Sequence, residues 1–326
     1  MTMDYGTVPG ISKPLSRLVQ GTASLPFADE VGSLALLDAV YGHGCRAFDT
    51  AHGYGGGDAE RLFGNWLASR GVRAEVVILG KGAHPYDGRD RVTPEDITVD
   101  LHESLQRLQV DSIDLYLLHR DNPSVPVGPI VEVLNAHQRA GKITAFGGSN
   151  WAAARLAEAN AYAAAHDLAP FTVSSPNYSL AVQIKPPWTG CLSISGAAGE
   201  SERAWYSERK MPIIPWSSLA GGFFSGRFRR DNLDSFDAYL DTLCVESYGS
   251  EENFRRLDRA AALGARDGLS VPQVALAYVI SQPLDVFALV GCRTGEEFAE
   301  NASALGRTLS PAELAWLDLR SDERPW

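Results

Sequence analysis

Eight short apolar runs punctuate the chain, at residues 18–21, 46–49, 76–81, 113–119, 144–149, 171–174, 213–217 and 286–290. Longer amphipathic stretches separate most of them, at 31–41, 59–69, 94–108, 128–139, 151–166 and 272–280, and another follows the eighth run at 296–305. Alternation of this kind requires a parallel sheet, because each helix carries the chain back to start the next strand in the same direction. Eight repeats predict that the sheet closes on itself. The reading is one (α/β)8 barrel domain over residues 1–326. The single match to a dinucleotide-binding G-x-G-x-x-A pattern, Gly42 to Ala47, precedes a strand instead of following one, so it cannot cradle a pyrophosphate.

Three segments depart from the rhythm. Residues 181–209, with Lys185-Pro186-Pro187-Trp188-Thr189-Gly190, read as a long loop after the sixth strand, and 225–250 as another after the seventh. Residues 310–320 open on Ser-Pro-Ala-Glu, a helix start, and read as a surplus C-terminal helix. Long ordered loops in a compact domain usually serve function, and these lie where they could wall one side of the barrel mouth.

The chemistry sits at the strand ends. Asp49 closes the second run, with Tyr54 in the loop beyond it; Lys81 closes the third and His119 the fourth. In a parallel barrel, the C-terminal ends of the strands converge on the catalytic face. A tyrosine with a pKa of ~10 is a reluctant proton donor. A neighbouring ammonium stabilises the phenolate, which Lys81 can do if Asp49 holds it by a buried ion pair. His119 can orient a substrate oxygen. Taken singly, each residue has a plainer reading: a packed loop tyrosine, a solvated lysine, or a structural His119-Arg120-Asp121 turn.

These residues resemble the aldo-keto reductase superfamily. Phe48-Asp49-Thr50-Ala51-His52-Gly53-Tyr54-Gly55 with Ala59-Glu60 and Phe63-Gly64 is similar to its first signature, and Leu79-Gly80-Lys81 and Leu117-Leu118-His119 to its other catalytic motifs. The resemblance runs on through Gly148-Ser149-Asn150, Pro215 to Gly222, Gly291-Cys292-Arg293 and Asn301. It implies the tetrad Asp49, Tyr54, Lys81 and His119, and a nicotinamide cofactor held without a Rossmann domain. By the same resemblance Ser149, Asn150 and Ser175 bind the carboxamide, with Ser175 standing where the family often has Gln. Trp216 stacks on the nicotinamide, while Ser217, Leu219 and Gly221 begin the loop around the pyrophosphate. Arg293, Glu297 and Asn301, spaced by four on the helix after strand eight, face the adenosine ribose. Arg293 suits a 2′-phosphate and favours NADP(H); a carboxylate at Glu297 repels that phosphate and suits the free hydroxyl of NAD(H). An ordinary i,i+4 ion pair between the two is the plainer reading. The expectation is NADP(H), with NAD(H) kept open.

Composition narrows the partners. A formal charge of -11 argues against nucleic acid and anionic membranes, yet one local basic pocket would still suffice for an anionic ligand. Four scattered cysteines without a CxxC pair predict neither a disulfide framework nor a metal site, and a cytoplasmic location. No run approaches the ~20 apolar residues of a membrane span. The expected function is reduction of a small aldehyde or ketone, sugar-like in one reading, with Trp188, and beside it Trp205 and Tyr206, as candidate substrate contacts. The alternative is a cofactor-binding regulatory subunit of the same fold. The sequence does not fix the oligomeric state.

Overall fold

The computed structural model describes residues 3–326. A small antiparallel hairpin, β1 (Tyr5–Gly6) with β2 (Leu15–Ser16), leads into the repeating unit. The chain then runs β3 (Leu18–Gly21), α1 (Glu30–Gly42), β4 (Ala47–Asp49), α2 (Asp58–Arg70), β5 (Val77–Gly82) and α3 (Pro94–Leu108). It continues through β6 (Ile113–Leu118), α4 (Val127–Arg139), β7 (Ile143–Ser149), α5 (Ala153–Ala165), β8 (Val173–Ser175) and α6 (Glu200–Arg209). The last stretch holds α7 (Tyr239–Tyr248), α8 (Glu251–Asp267), α9 (Val271–Ile280), β9 (Ala288–Val290), α10 (Gly295–Ser303) and α11 (Pro311–Leu317).

Seven strands form one parallel sheet in the order β8-β7-β6-β5-β4-β3-β9. Ile213 closes it, bridging Ser174 on one side and Val286 on the other. The predicted strand 213–217 is thus reduced to single rungs. Its flanking prolines, Pro212 and Pro215, have no N–H to give to a ladder. The architecture is the expected (α/β)8 barrel.

Strand alternation sorts side chains into two cores. Val19, Ala47, Val77, Leu79, Leu115, Leu117, Ala145, Val173 and Ile214 fill the barrel interior, joined by Val8, Ile11 and Leu15 from the N-terminal segment that plugs its floor. Leu18, Phe48, Ile78, Tyr116, Leu118 and Phe146 point outward and pack under the helices. The parity is decisive for the site. Asp49, Lys81, His119, Ser149, Ser175 and Trp216 each share the inward register of the interior residues below them, at the end where the strands stop.

The two predicted loops are only partly loops. Residues 200–209 form α6 and residues 239–248 form α7, and α8 fills a stretch to which the pattern assigned no element. In α6 only Tyr206 is buried, so there is no apolar stripe to reveal the helix. The surplus C-terminal helix is present as α11, where Ser310 and Glu313 close a reciprocal capping box. Among the described residues, no helix is long and apolar enough to cross a membrane.

Candidate active site

The three strand-end residues and Tyr54 meet. The Lys81 ammonium donates to Asp49 Oδ1 and to the Tyr54 hydroxyl, the latter at 3.1 Å. Lys81 and Asp49 are both buried. The His119 ring lies edge-on to the Tyr54 ring, centroids 5.7 Å apart. Tyr54 reaches this position because Gly55, Gly56 and Gly57 take positive φ values of 57°, 63° and 98°, turning the chain sharply before α2.

Burial and charge set the protonation states. Burial disfavours the Lys81 ammonium, but the Asp49 carboxylate and the Tyr54 phenol outweigh it, and its pKa is raised. Burial raises the Tyr54 phenol above its ordinary value, and Lys81 offsets this only in part. That differs from the sequence expectation of a net lowering: in the closed site desolvation of the phenolate is the larger effect. Tyr54 therefore holds its proton at neutral pH. Burial pushes His119 well below the usual imidazole value, aided by Lys81, Arg120 and His84. It is neutral, and its Nδ1 is buried without a hydrogen-bond partner.

Next to this group stand the residues expected to hold the carboxamide. Ser149 Oγ donates to the Ser175 carbonyl at 2.9 Å. Asn150 is saturated by the protein. Its amide donates to the His119 carbonyl and Ser149 Oγ at 3.1 and 3.2 Å, and its Oδ1 accepts from the Leu192 N–H and from Trp216 Nε1, each at 3.0 Å. An amide offers two donors and two acceptor sites, so none is spare. Ser175 Oγ is the opposite case, buried with no partner. It points into the barrel, whereas Ser174 points outward to the Tyr206 hydroxyl. The residue matching the family least well in sequence is the one with an unused hydroxyl.

Beyond Trp216 the backbone enters the left-handed region at Ser217, Ala220, Gly221 and Gly222. Left-handed turns can present amide groups to an anion, and here the Ala220 and Gly222 N–H groups donate within the loop, to the Ser217 and Leu219 carbonyls at 2.8 and 3.1 Å. The Leu219 N–H has no backbone acceptor. At the far end Arg293 precedes the helix: Thr294 is the cap residue of α10, so Arg293, Glu297 and Asn301 do not share a helix face as expected. The Glu297 carboxylate accepts from the Arg293 backbone N–H at 2.7 Å. No carboxylate lies within 4.0 Å of the Arg293 guanidinium among the described residues. Asn301 turns inward and donates to Cys292 Sγ at 3.3 Å. Taken together, the orphan Ser175 hydroxyl, the half-buried Trp216 and the Leu219 N–H of the left-handed turn fit a nicotinamide dinucleotide.

Of the three candidate substrate aromatics, only Trp188 borders this site. Its ring lies 6.3 Å from Trp216, and its Nε1 donates to the Tyr239 hydroxyl at 3.0 Å. Tyr206 is buried behind β8, and Trp205 packs edge-on against it under Arg209. Two neighbours went unassigned in the sequence. His84 packs edge-on to His119 at 4.8 Å, and Arg120 is buried beside it. His84 carries no pattern of its own, and Arg120 was legible only as part of a turn.

The sequence model of the Aldo/keto reductase family matches residues 17–319. An uncharacterized oxidoreductase, YrpG of Bacillus subtilis, is 28% identical over 329 residues, covering 97% of this chain and 95% of its own. A norsolorinic acid reductase of Emericella nidulans is 27% identical over 90% of this chain and 73% of its own. A probable aryl-alcohol dehydrogenase of Saccharomyces cerevisiae is 26% identical over 87% of this chain and 85% of its own. The chain belongs to the aldo/keto reductase family and is an oxidoreductase enzyme.

Proposed function

We propose that this enzyme reduces an aldehyde or ketone to the alcohol at the expense of NADPH, with Tyr54 as the proton donor. The observation that carries the reading is the Lys81 ammonium, 3.1 Å from the Tyr54 hydroxyl and backed by buried Asp49. A nicotinamide held beside Trp216 would supply the hydride to the carbonyl carbon. As negative charge grows on the carbonyl oxygen, Tyr54 gives up its proton and Lys81 stabilises the phenolate left behind. Asp49 keeps Lys81 charged and in place. Neutral His119 donates a hydrogen bond to the same oxygen and fixes its direction. In alcohol oxidation, the Tyr54 phenolate takes the proton back.

Ser149 and Ser175 hold the carboxamide, while Asn150 acts through Trp216 and the His119 carbonyl as a positioning residue. Trp216 is the stacking platform; Ser217, Leu219 and Gly221 carry the pyrophosphate. Among the described residues no carboxylate pairs with the Arg293 side chain, which favours NADP(H) over NAD(H), because that guanidinium is available to a 2′-phosphate. Asn301, turned to Cys292, supports the start of α10 rather than reaching the ribose. Trp188, 6.3 Å from the Trp216 ring, offers an aromatic surface beside the cofactor to a flat carbonyl compound, and the names of the aryl-alcohol and norsolorinic acid relatives favour it over a sugar. The four free cysteines suit the reducing cytoplasm.

The test is oxidation of NADPH and of NADH by purified protein against a panel of aromatic, aliphatic and sugar aldehydes. Turnover of aromatic aldehydes with NADPH is expected. If no carbonyl in the panel is turned over with either cofactor, the reading is wrong.

A further inference from the structure

Arg120 is only 4% exposed, and no carboxylate of the described residues lies within 4.0 Å of its guanidinium. The other buried arginines are answered: Arg155 by Asp121 and Glu158, and Arg256 by Asp318. A charge taken largely out of water without a counter-ion is costly. Two donors of Arg120 are used. Nε donates to the Thr189 carbonyl at 3.1 Å and Nη1 to the His119 carbonyl at 2.8 Å, while Nη2 makes no hydrogen bond among the described residues. This leaves the Nη1–Nη2 edge with free N–H groups in the fork that matches an oxyanion.

The charge is felt inside the site. Arg120 lowers the proton affinity of Tyr54, His119 and His84. The other cation there, Lys81, is already balanced by Asp49. Tyr54 and His119 therefore feel a second positive charge besides the balanced Lys81, in a chain of net charge -11. The backbone that covers Arg120 belongs to the segment with Trp188. Gly190 passes so close that a Cβ there would lie 3.2 Å from Arg120 Cδ.

We propose that Arg120 anchors an oxyanion on the substrate, so that the enzyme acts on aldehydes or ketones carrying a carboxylate or phosphate group. This rests on the reductase reading above. Bound with its carbonyl at Tyr54 and His119, such a substrate turns its charged end toward Thr189 and Trp188. Arg120 is then a specificity residue that contacts the substrate at a distance from the reacting atoms.

The experiment compares kcat/KM with NADPH for 4-formylbenzoate, 4-formylphenyl phosphate and the neutral methyl 4-formylbenzoate. Wild type, Arg120→Met and Arg120→Lys are measured at low and high ionic strength. Wild type is expected to prefer an anionic aldehyde to the ester by about tenfold to a hundredfold, with the preference shrinking in salt. Arg120→Met should bring that ratio to about one, and Arg120→Lys should restore part of it. The two anionic arms identify which oxyanion the site takes. Equal use of acid and ester by wild type, or an equal loss on both in Arg120→Met, overturns the proposal and leaves Arg120 as a pin for the overlying segment. Benzoate and benzamide binding to the protein–NADP+ complex, read by tryptophan fluorescence, checks the anion site without turnover. A protein that turns over no carbonyl of the panel above, yet binds benzoate through Arg120, would overturn the reductase reading and keep the anion site. Indifference to the charge of benzoate counts against the anchor in either case.

Discussion

Lys81 touches both Tyr54 and Asp49 and so couples the phenol to a buried carboxylate. Removing the phenol proton and removing the ammonium should therefore fail in different ways. Tyr54→Phe keeps the ring between its neighbours but has nothing to transfer. It is expected to lose about a hundredfold or more in kcat on an unactivated aldehyde, with NADPH binding near wild type. Lys81→Met removes the charge that opposes burial at Tyr54, so the phenol pKa, already above its ordinary value, rises further. Reduction needs the protonated phenol and is lost as pH climbs through that pKa. The alkaline limb of the pH profile should then move upward while the rate falls. Tyr54→Phe turnover above a tenth of wild type, or an unmoved limb in Lys81→Met, would remove Tyr54 from its role.

Much of this site was legible because strand parity and strand ends are local properties. Asp49, Lys81 and His119 can be placed from the inward register of Ala47, Leu79 and Leu117 before any contact is known. What the sequence hid depends on partners far apart in the chain. The saturation of Asn150 needs Leu192 and Trp216 from two different loops, and nothing in Gly148-Ser149-Asn150 announces it. The unanswered charge of Arg120 shows only once every carboxylate is placed. The helix α6 was missed because only Tyr206 of it is buried, and α7 because its apolar residues form no single buried stripe, Tyr239 and Leu240 being exposed; neither has a capping side chain at its start.

His119 gives a prediction in pH. Burial depresses its pKa well below 6.5, so it is neutral through the working range and adds no limb to the activity profile near 6.5. The unfolded chain binds the proton that the folded site refuses. Stability is therefore retained above about pH 6.5 and lost as pH falls from there toward the depressed value. His84 and His137 are shifted in the same direction, so His119→Gln should remove part of that acid slope and not all of it. Urea unfolding between pH 5 and 8 measures it. An unchanged slope in the variant would show that His119 titrates normally.

Trp216 is held by its Nε1 bond to Asn150 and is the proposed face for the nicotinamide. Cofactor binding should quench its fluorescence, and Trp216→Ala should weaken binding because stacked aromatic area is lost at a partly desolvated site. Asn150→Ala should weaken it as well, indirectly, since the same side chain also holds Leu192. Titrations that quench wild type and Trp216→Ala to the same extent would show that the ring does not meet the cofactor. Trp188, 6.3 Å away, would then be the reporter.

Cofactor choice turns on two neighbours that do not pair. The Glu297 carboxylate is taken up by the Arg293 backbone N–H, which leaves the Arg293 guanidinium to a ligand. If it grips the 2′-phosphate, Arg293→Ala should weaken NADPH binding by about tenfold to a hundredfold, the worth of a charge-assisted contact of ~1.5–3 kcal/mol, and leave NADH nearly unchanged. Glu297→Gln tests the opposing charge. It keeps an acceptor for the Arg293 N–H but removes a negative charge close to the phosphate, so the preference for NADPH should increase. Were Glu297 instead the partner of a free ribose hydroxyl, the same change would weaken NADH, and Arg293→Ala would leave the two dissociation constants in their original ratio. Fluorescence titration of both cofactors into wild type and the two variants distinguishes these outcomes.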